Sequence, residues 1–181
     1  MKRITPLLTI FTVALFLILS PSITLPQEKS PTWEVYFSPH GGCTEAIIRE
    51  LTKSKSSVLV QAYSFTSAPI AKALLDAHKR GVKVEVILDK SQRTQQYSSA
   101  TFLFNAGIST KIDSAHAIAH NKVMIIDGEV VITGSFNFSK AAEESNAENL
   151  LIIYDKNLAL FYTKNWYDHS EHSEPYKRKE R

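Results

Sequence analysis

The chain has 181 residues, of which 44% are hydrophobic and 22% are charged. This length supports one hydrophobic core, and the balanced composition argues against an intrinsically disordered chain. Cys43 is the single cysteine, which excludes an intrachain disulfide framework and a four-cysteine zinc site. The net charge is +3, but removing Lys2 and Arg3 of a predicted leader leaves 19 basic residues against 18 acidic ones, so overall charge identifies no partner.

Residues 1–26 have the pattern of a secretory signal peptide. A basic start is followed by thirteen residues, 7–19, that are apolar except for two threonines, and then by a polar segment with two prolines. As a helix this apolar stretch would rise about 20 Å, less than a hydrocarbon core of about 30 Å. No Ala-x-Ala cleavage site is present, so an uncleaved N-terminal anchor is the alternative. In both cases we expect the folded domain, residues 30–169, to be periplasmic or secreted.

The first half of this domain alternates predicted strands and helices. A glycine-containing turn leads into a helix that carries Ile47, Ile48 and Leu51 on one face. Ser67 is placed to cap the next helix, and Gly81 to end it. The strands before, between and after these helices are predicted at residues 33–37, 57–63 and 82–88. Alternation of strand and helix predicts an α/β domain with parallel pairing.

The second half begins with a polar segment, residues 90–99, that is typical of an exposed loop. Asp127-Gly128 joins two β-branched runs and strongly favours a β-hairpin. Asp155 is placed to cap a final amphipathic helix, and residues 170–181 are predicted to form a frayed, charged C-terminal tail. The remaining predicted elements are a short helix at 101–106, hairpin strands at 123–126 and 129–133, and a strand at 150–154.

Polar side chains flank the predicted hairpin on the side opposite its turn. His120 and Lys122 are two residues apart at the start of one strand and so leave the same face, as do Ser135 and Asn137 at the end of the other. The turn brings all four to one rim of the sheet. An imidazole, a fixed cation, a hydroxyl and an amide fit an anionic tetrahedral centre such as a phosphodiester.

At these residues the chain resembles the phospholipase D superfamily, whose HxKxxxxD signature followed by GSxN is matched without a gap. The resemblance extends over residues 35–153, through FSPHGGCTEAII and NAENLLIIYD, and is strongest to the small exported bacterial endonucleases that carry one copy of the signature. It implies the phospholipase D/nuclease fold, in which a mixed, mostly parallel β-sheet is flanked by helices on both faces. Mitochondrial cardiolipin hydrolase is another relative, which keeps lipid and RNA substrates open.

The resemblance also implies a mechanism. Family members use two facing copies of the signature, one histidine forming a phosphohistidine and the other protonating the leaving oxygen. Because this chain has one copy, we expect a homodimer with His120 of each protomer at one composite site. No metal and no cofactor are expected, since Lys122, Asn137 and Ser135 would hold the phosphate oxygens. Glu148 would hydrogen-bond the nucleophilic histidine, and Asp127 and Gly134 would be structural.

Three further polar residues have weaker predictions. Lys90, Arg93 and His116 are candidates for contacts with a nucleic-acid backbone. His116 and His120 are four residues apart, as metal ligands on one helix face would be, but no carboxylate or cysteine lies at a recognised spacing, so no metal site is predicted. The leading hypothesis is a phosphodiesterase that cuts DNA, with RNA as a further substrate. The alternatives are a hydrolase of anionic phospholipids and a catalytically idle nucleic-acid-binding protein.

Overall fold

The structure is a computed structural model that describes residues 32–177. The predicted signal peptide, residues 1–26, lies outside the described residues. Within them the chain forms one α/β domain in which a single sheet of eight strands is flanked by five α-helices. The strands are β1 (Thr32–Ser38), β2 (Ser57–Ala62), β3 (Lys83–Asp89), β4 (Ser109–Asp113), β5 (Lys122–Ile126), β6 (Val130–Gly134), β7 (Glu148–Tyr154) and β8 (Glu174–Pro175). The helices are α1 (Cys43–Lys53), α2 (Ala68–Lys79), α3 (Ala100–Asn105), α4 (Lys140–Glu144) and α5 (Lys156–His172).

The sheet is mixed, with the order β1-β7-β6-β5-β2-β3-β4-β8. Only β2-β3 and β3-β4 pair in parallel, and the other neighbours are antiparallel. The prediction of a mixed sheet is confirmed, but the prediction that it is mostly parallel is wrong. The helical crossovers between β2, β3 and β4 make those strands parallel, whereas β5 and β6 are joined by a tight turn that imposes antiparallel pairing.

Helices cover both faces of the sheet, as predicted. On one face α1, α2 and α3 pack on a core that includes Val58 and Val60 of β2. On the other face α5 packs through Trp166 on Leu59 and its neighbours, and the Trp166 indole nitrogen donates to the Val60 carbonyl at 2.9 Å. Residues Val58 to Val60 alternate between the two cores, so β2 is buried on both faces. This burial explains the dense apolar sequence of the strand.

The structure differs from the sequence prediction after β3 and at the C-terminus. A 3₁₀ helix, Lys90–Arg93, occupies the start of the predicted loop, and β4 and α4 were not predicted. The predicted frayed tail, residues 170–181, is also wrong over its first part: α5 continues to His172, and β8 pairs with β4. Tyr176 then lies buried, with its hydroxyl 2.6 Å from Thr101 Oγ1. Its burial ties residues 170–177 to the rest of the domain, and residues 178–181 lie outside the described residues.

Two opposite edges of the sheet have different roles. One edge contains the ends of β2, β3, β4 and β6 together with the starts of β5 and β7, and it is called the polar rim below. The opposite edge carries the β5-β6 turn. Among residues 32–177, no helix has both the length and the apolar character needed to cross a membrane.

Candidate active site

The polar rim brings together the side chains that the sequence singled out. Lys122, the first residue of β5, pairs with Ala62 at the end of β2. In the β5-β6 pair, Ile126 lies opposite Val130 next to the turn, so the start of β5 lies on the side of the polar rim. The β6-β7 register places Gly134 opposite Leu150. Because β5 and β6 are antiparallel and joined at the far edge, the residues before β5 and after β6 meet here. The residues at this rim are His120, Lys122, Ser135, Asn137 and Glu148.

Lys122 and His120 form the cationic part of the rim. Lys122 is 6% exposed, and its Nζ donates to the His120 carbonyl at 2.8 Å. The same ammonium lies 5.0 Å from the centre of the Tyr63 ring, and the His120 ring lies 4.6 Å from it. Burial lowers the pKa of Lys122, and the charge of Glu148 acts in the opposite direction. The His120 side chain is exposed and therefore open to a substrate.

Asn137 is tied through its backbone to Glu148, at the start of β7. Its N–H donates to Glu148 Oε2 at 3.1 Å, and its Oδ1 is buried without a hydrogen-bond partner within residues 32–177. The other oxygen of Glu148 accepts from Asn146 Nδ2 at 2.9 Å. Glu148 thus positions the segment that carries Asn137. Its expected hydrogen bond to His120 is not among the hydrogen bonds of the described residues, so that role stays a prediction.

Ser135 and Gly134 shape the end of β6. The backbone N–H groups of Ser135 and Phe136 both donate to the Asn149 carbonyl at 3.1 Å, and the Asn149 N–H donates to Ser135 Oγ at 3.0 Å. Gly134 has φ 139°, and a Cβ there would lie 2.3 Å from the Asn149 carbonyl oxygen. Glycine is therefore required for this close approach. The Ser135 hydroxyl accepts in this network and keeps its own hydrogen to donate.

Asp127 lies at the opposite edge, away from the polar rim. It adopts φ 55° and the following Gly128 φ 66°, as a tight hairpin turn requires. Its carboxylate accepts from the N–H groups of Lys55, Ser56 and Ser57 at 2.7 to 3.2 Å. Burial acts to raise the pKa of Asp127, but these hydrogen bonds outweigh it and the pKa is lowered. Asp127, the aspartate of the signature, therefore holds the loop between α1 and β2 in place.

The three predicted nucleic-acid contacts have other partners. Lys90 Nζ donates to the His116 carbonyl at 3.0 Å. Arg93 forms an ion pair with Glu174 at 2.7 Å. The His116 ring lies 2.9 Å from Asp113 Oδ2. Arg93 and His116 are therefore engaged by carboxylates, whereas Lys90 has no such ion pair within residues 32–177.

Two features of this edge were not predicted from the sequence. Tyr63, which packs between His120 and Lys122, lies one residue beyond the end of β2, and its position in YSFTS was the available signal. The carboxylate of Asp113 is surrounded by three histidines, two of which are more than 50 residues away in the chain. Spacing along the sequence gives no signal for such a cluster.

Comparison with known proteins agrees with this geometry. Residues 47–168 match the family described as cardiolipin synthase, PLD-like domain. Phospholipase D of Rickettsia typhi is 43% identical over 80% of this chain and 71% of that protein. Mitochondrial cardiolipin hydrolase of Xenopus laevis is 34% identical over 65% of this chain and 56% of that protein. Phospholipase D of Rickettsia conorii is 48% identical, and this chain spans 65% of the length of that protein.

Solved structures give the same assignment. Nuc, a phospholipase D family member from Salmonella typhimurium, is 38% identical, with a TM-score of 0.78 over 81% of this chain and 99% of that chain. NucT from Helicobacter pylori is 25% identical, with a TM-score of 0.75 over the same shares. The matched region includes the whole polar rim from Tyr63 to Glu148. The chain therefore belongs to the phospholipase D superfamily of hydrolases.

Proposed function

We propose that this protein is a metal-independent phosphodiesterase that cuts DNA, and RNA as a further substrate, at internal bonds. One observation carries the proposal: an exposed imidazole, a buried ammonium and the amide side chain of Asn137, whose Nδ2 can donate to a phosphate oxygen, lie at one rim. His120 is open to solvent, while Lys122 is nine-tenths buried beside it. The Lys122 charge and the Asn137 amide supply the electrostatic stabilisation of a phosphoryl transition state that a divalent cation supplies in other nucleases.

The reaction has two displacements at phosphorus. In the first, a ring nitrogen of His120 attacks phosphorus, the bond to the leaving oxygen breaks, and a protonated His120 of a second protomer gives its proton to that oxygen. In the second, the same partner histidine takes a proton from water, and the resulting hydroxide displaces His120 from phosphorus. Lys122 and Asn137 hold the non-bridging oxygens through both steps. Ser135 contributes its free hydroxyl hydrogen.

The mechanism requires two chains, because each provides one histidine and one lysine. The single HxKxxxxD signature of this sequence supports a homodimer with one composite site. Mixed dimers give a direct test. If wild-type and His120→Ala chains are refolded together in equal amounts, about a quarter of the dimers carry two intact histidines under random pairing. Activity per wild-type chain should then fall to about half, whereas independent monomers would keep full activity per wild-type chain.

Substrate class is the second part of the proposal. Residues 35–153 resemble the small exported endonucleases of the superfamily, and the similarity to Nuc, at 38% identity, covers 99% of that chain. The rim presents groups for a phosphate and no motif for reading bases, which favours cleavage with little sequence preference. The predicted leader places the activity in the periplasm or outside the cell.

Hydrolysis of anionic phospholipids is the second candidate function. The observation that favours it is the naming of several curated relatives as phospholipase D or mitochondrial cardiolipin hydrolase. A diester of phosphate is common to both substrate classes, so the rim alone does not separate them. An apolar surface beside the rim or a retained N-terminal anchor would favour lipid.

The test compares both substrates under one condition. The full chain, purified without a polyhistidine tag, is incubated in excess EDTA with plasmid DNA and separately with vesicles of cardiolipin and phosphatidylcholine. We expect nicked and then linear DNA from the wild-type protein and none from His120→Ala. His78→Ala is the matched control, since His78 lies at the end of α2 on the opposite edge. Phosphatidic acid release without DNA cleavage would support the lipid alternative, and DNA retention without turnover would support a binding protein.

A further inference from the structure

A second cluster of chemically active side chains lies at the polar rim beyond the phosphate site. Asp113 ends β4, His116 follows it in the next loop, and His169 and His172 lie in the last turn of α5. One ligand atom from each of the four lies within 4.8 Å of all the others. The cluster uses three of the six histidines of the chain, and none of the three belongs to the phosphodiesterase signature.

The geometry converges on one oxygen atom. Asp113 Oδ2 lies 2.9 Å from His116 Nδ1, 2.9 Å from His169 Nδ1 and 3.3 Å from His172 Nε2. The ring centres are 4.9, 5.1 and 5.3 Å apart in pairs, so the imidazoles surround the carboxylate on three sides. Ligand atoms around a tetrahedral zinc, at about 2.0 to 2.2 Å from the metal, are separated from one another by roughly 3.3 Å. The three distances from Asp113 Oδ2 to the ring nitrogens are close to this value. The four ligand atoms lie within 4.8 Å of one another, so zinc would draw the ring nitrogens closer together.

Hydrogen bonding alone explains this arrangement less well. A carboxylate oxygen has two lone pairs, but here three ring nitrogens lie within 3.3 Å of the single oxygen Oδ2. The other oxygen, Oδ1, accepts a hydrogen bond from the Ala115 N–H at 3.1 Å. Asp113 is fully buried, and a buried carboxylate surrounded by imidazoles is a typical metal ligand set. Burial acts to raise the pKa of Asp113, but hydrogen bonds from His169, His116 and His172 outweigh it and the pKa is lowered.

A separate observation beside the cluster also indicates a ligand. A cavity of about 10 Å³ is bordered by Asp113, His169, Asn121 and Gln61. Gln61 is 4% exposed, and its Nε2 is buried without a hydrogen-bond partner within residues 32–177. A polar space of this size holds about one water molecule. Metal ligands are commonly oriented by polar groups behind them, and Gln61 lines the same cavity as Asp113 and His169.

We propose that Asp113, His116, His169 and His172 bind one Zn²⁺ ion at a structural site separate from the phosphodiester chemistry. Three neutral imidazoles and one carboxylate are a set that suits zinc in geometry and in ligand type. The His116 side chain is 47% exposed, which provides a path by which the ion enters. The site would join the end of α5 to the loop between β4 and β5.

This connection has a consequence for the active site, because the same loop leads into His120. Within it the His116 carbonyl accepts from Lys90, and the Ala119 N–H donates to Asp89 Oδ2 at 2.8 Å. A zinc ion bound to His116 would fix one end of residues 116–120, and the other end of this segment is His120, the proposed nucleophile. Zinc would therefore stabilise the fold and order the approach to His120, although it would take no part in bond breaking.

The first experiment measures zinc binding by the full chain without a polyhistidine tag. Metal is removed with EDTA, the chelator is dialysed away, and Zn²⁺ is titrated against a chromogenic indicator. We expect one ion per chain and a higher melting temperature with zinc than without it. His169→Asn should lose stoichiometric binding and the thermal shift. His78→Asn, a change of the same type outside the cluster, should keep both. Co²⁺ in place of Zn²⁺ should give the intense visible absorption of four-coordinate cobalt.

Several outcomes would overturn the proposal. They are no stoichiometric binding by the wild-type chain, equal binding by His169→Asn, or a six-coordinate cobalt spectrum. Cooperative thermal unfolding in EDTA establishes that the variants fold. If His169→Asn does not fold, His116→Asn, which changes the most exposed of the three histidines, replaces it. Phosphodiesterase activity is read separately in EDTA, so loss of zinc binding and failure of the proposed function are distinguishable.

Discussion

Replacing Asp127 tests whether the aspartate of the signature is structural or catalytic. The change to alanine removes an acceptor from three backbone N–H groups, of which those of Lys55 and Ser56 are exposed and that of Ser57 is partly buried. Exposed donors regain water, so each costs about 0.5 kcal/mol, while the partly buried Ser57 donor costs about 1 kcal/mol. Alanine at φ 55° adds about 1 kcal/mol. We therefore expect a total of about 3 kcal/mol.

Asp127→Asn provides the matched comparison. Asparagine tolerates the left-handed conformation and keeps one acceptor oxygen, so its cost should be about 1 kcal/mol. For a domain of this size, 3 kcal/mol corresponds to a drop of about 6 to 12 °C in melting temperature, measured by circular dichroism. Phosphodiesterase activity per folded molecule, assayed well below the transition, should be unchanged in both variants. A folded Asp127→Asn protein with an unchanged melting temperature and no activity would refute the structural role.

Three further predictions concern charge, packing and pH. Lys122→Met should lower kcat by about 10² to 10³-fold, as measured by steady-state kinetics. The melting temperature should stay the same or rise in thermal unfolding, because the variant no longer buries an ammonium group. Gly134→Ala should cost at least about 3 kcal/mol in a urea titration, because its Cβ would overlap the Asn149 carbonyl. Asp89 and Asp127 have lowered pKa values in the fold, so the stability that they contribute is present above an unfolded pKa of about 3.9 and is lost as pH falls through the folded values. Urea unfolding at pH 7 and at about pH 3 should show this loss, and an unchanged free energy of unfolding would contradict it.

The two sites proposed at the polar rim differ in what holds them. The proposed phosphate site rests on groups that three consecutive strands, β5, β6 and β7, bring to one rim. The proposed zinc site depends on α5, which packs on the sheet face opposite α1, α2 and α3. The last turn of α5 places His169 and His172 beside the end of β4. A variant that shortens α5 should therefore affect zinc binding before it affects the β5-β6 hairpin.

Much of the local structure follows from the sequence. Ser67 and Asp155 accept hydrogen bonds from the first turns of α2 and α5, as their capping positions predicted. The Asp127-Gly128 turn joins β5 and β6 as predicted. These features depend on residues close together in the chain, where side-chain chemistry and hydrophobic period act directly on the backbone. For the same reason, the sequence predicted that the polar groups flanking this hairpin would meet.

Tertiary structure decided the features that depend on distant residues. Most strand pairs are antiparallel because β1 and β7 join the sheet beside the hairpin, which no local pattern specifies. Tyr176 folds the charged C-terminal segment by burying its ring. Asp113 meets His169 across 56 residues, so sequence spacing suggested only the pair His116 and His120. By itself the sequence determined the hairpin and the polar groups that flank it, because these are encoded locally. Only the packing of α5 on the sheet could assemble four ligands from separate parts of the chain.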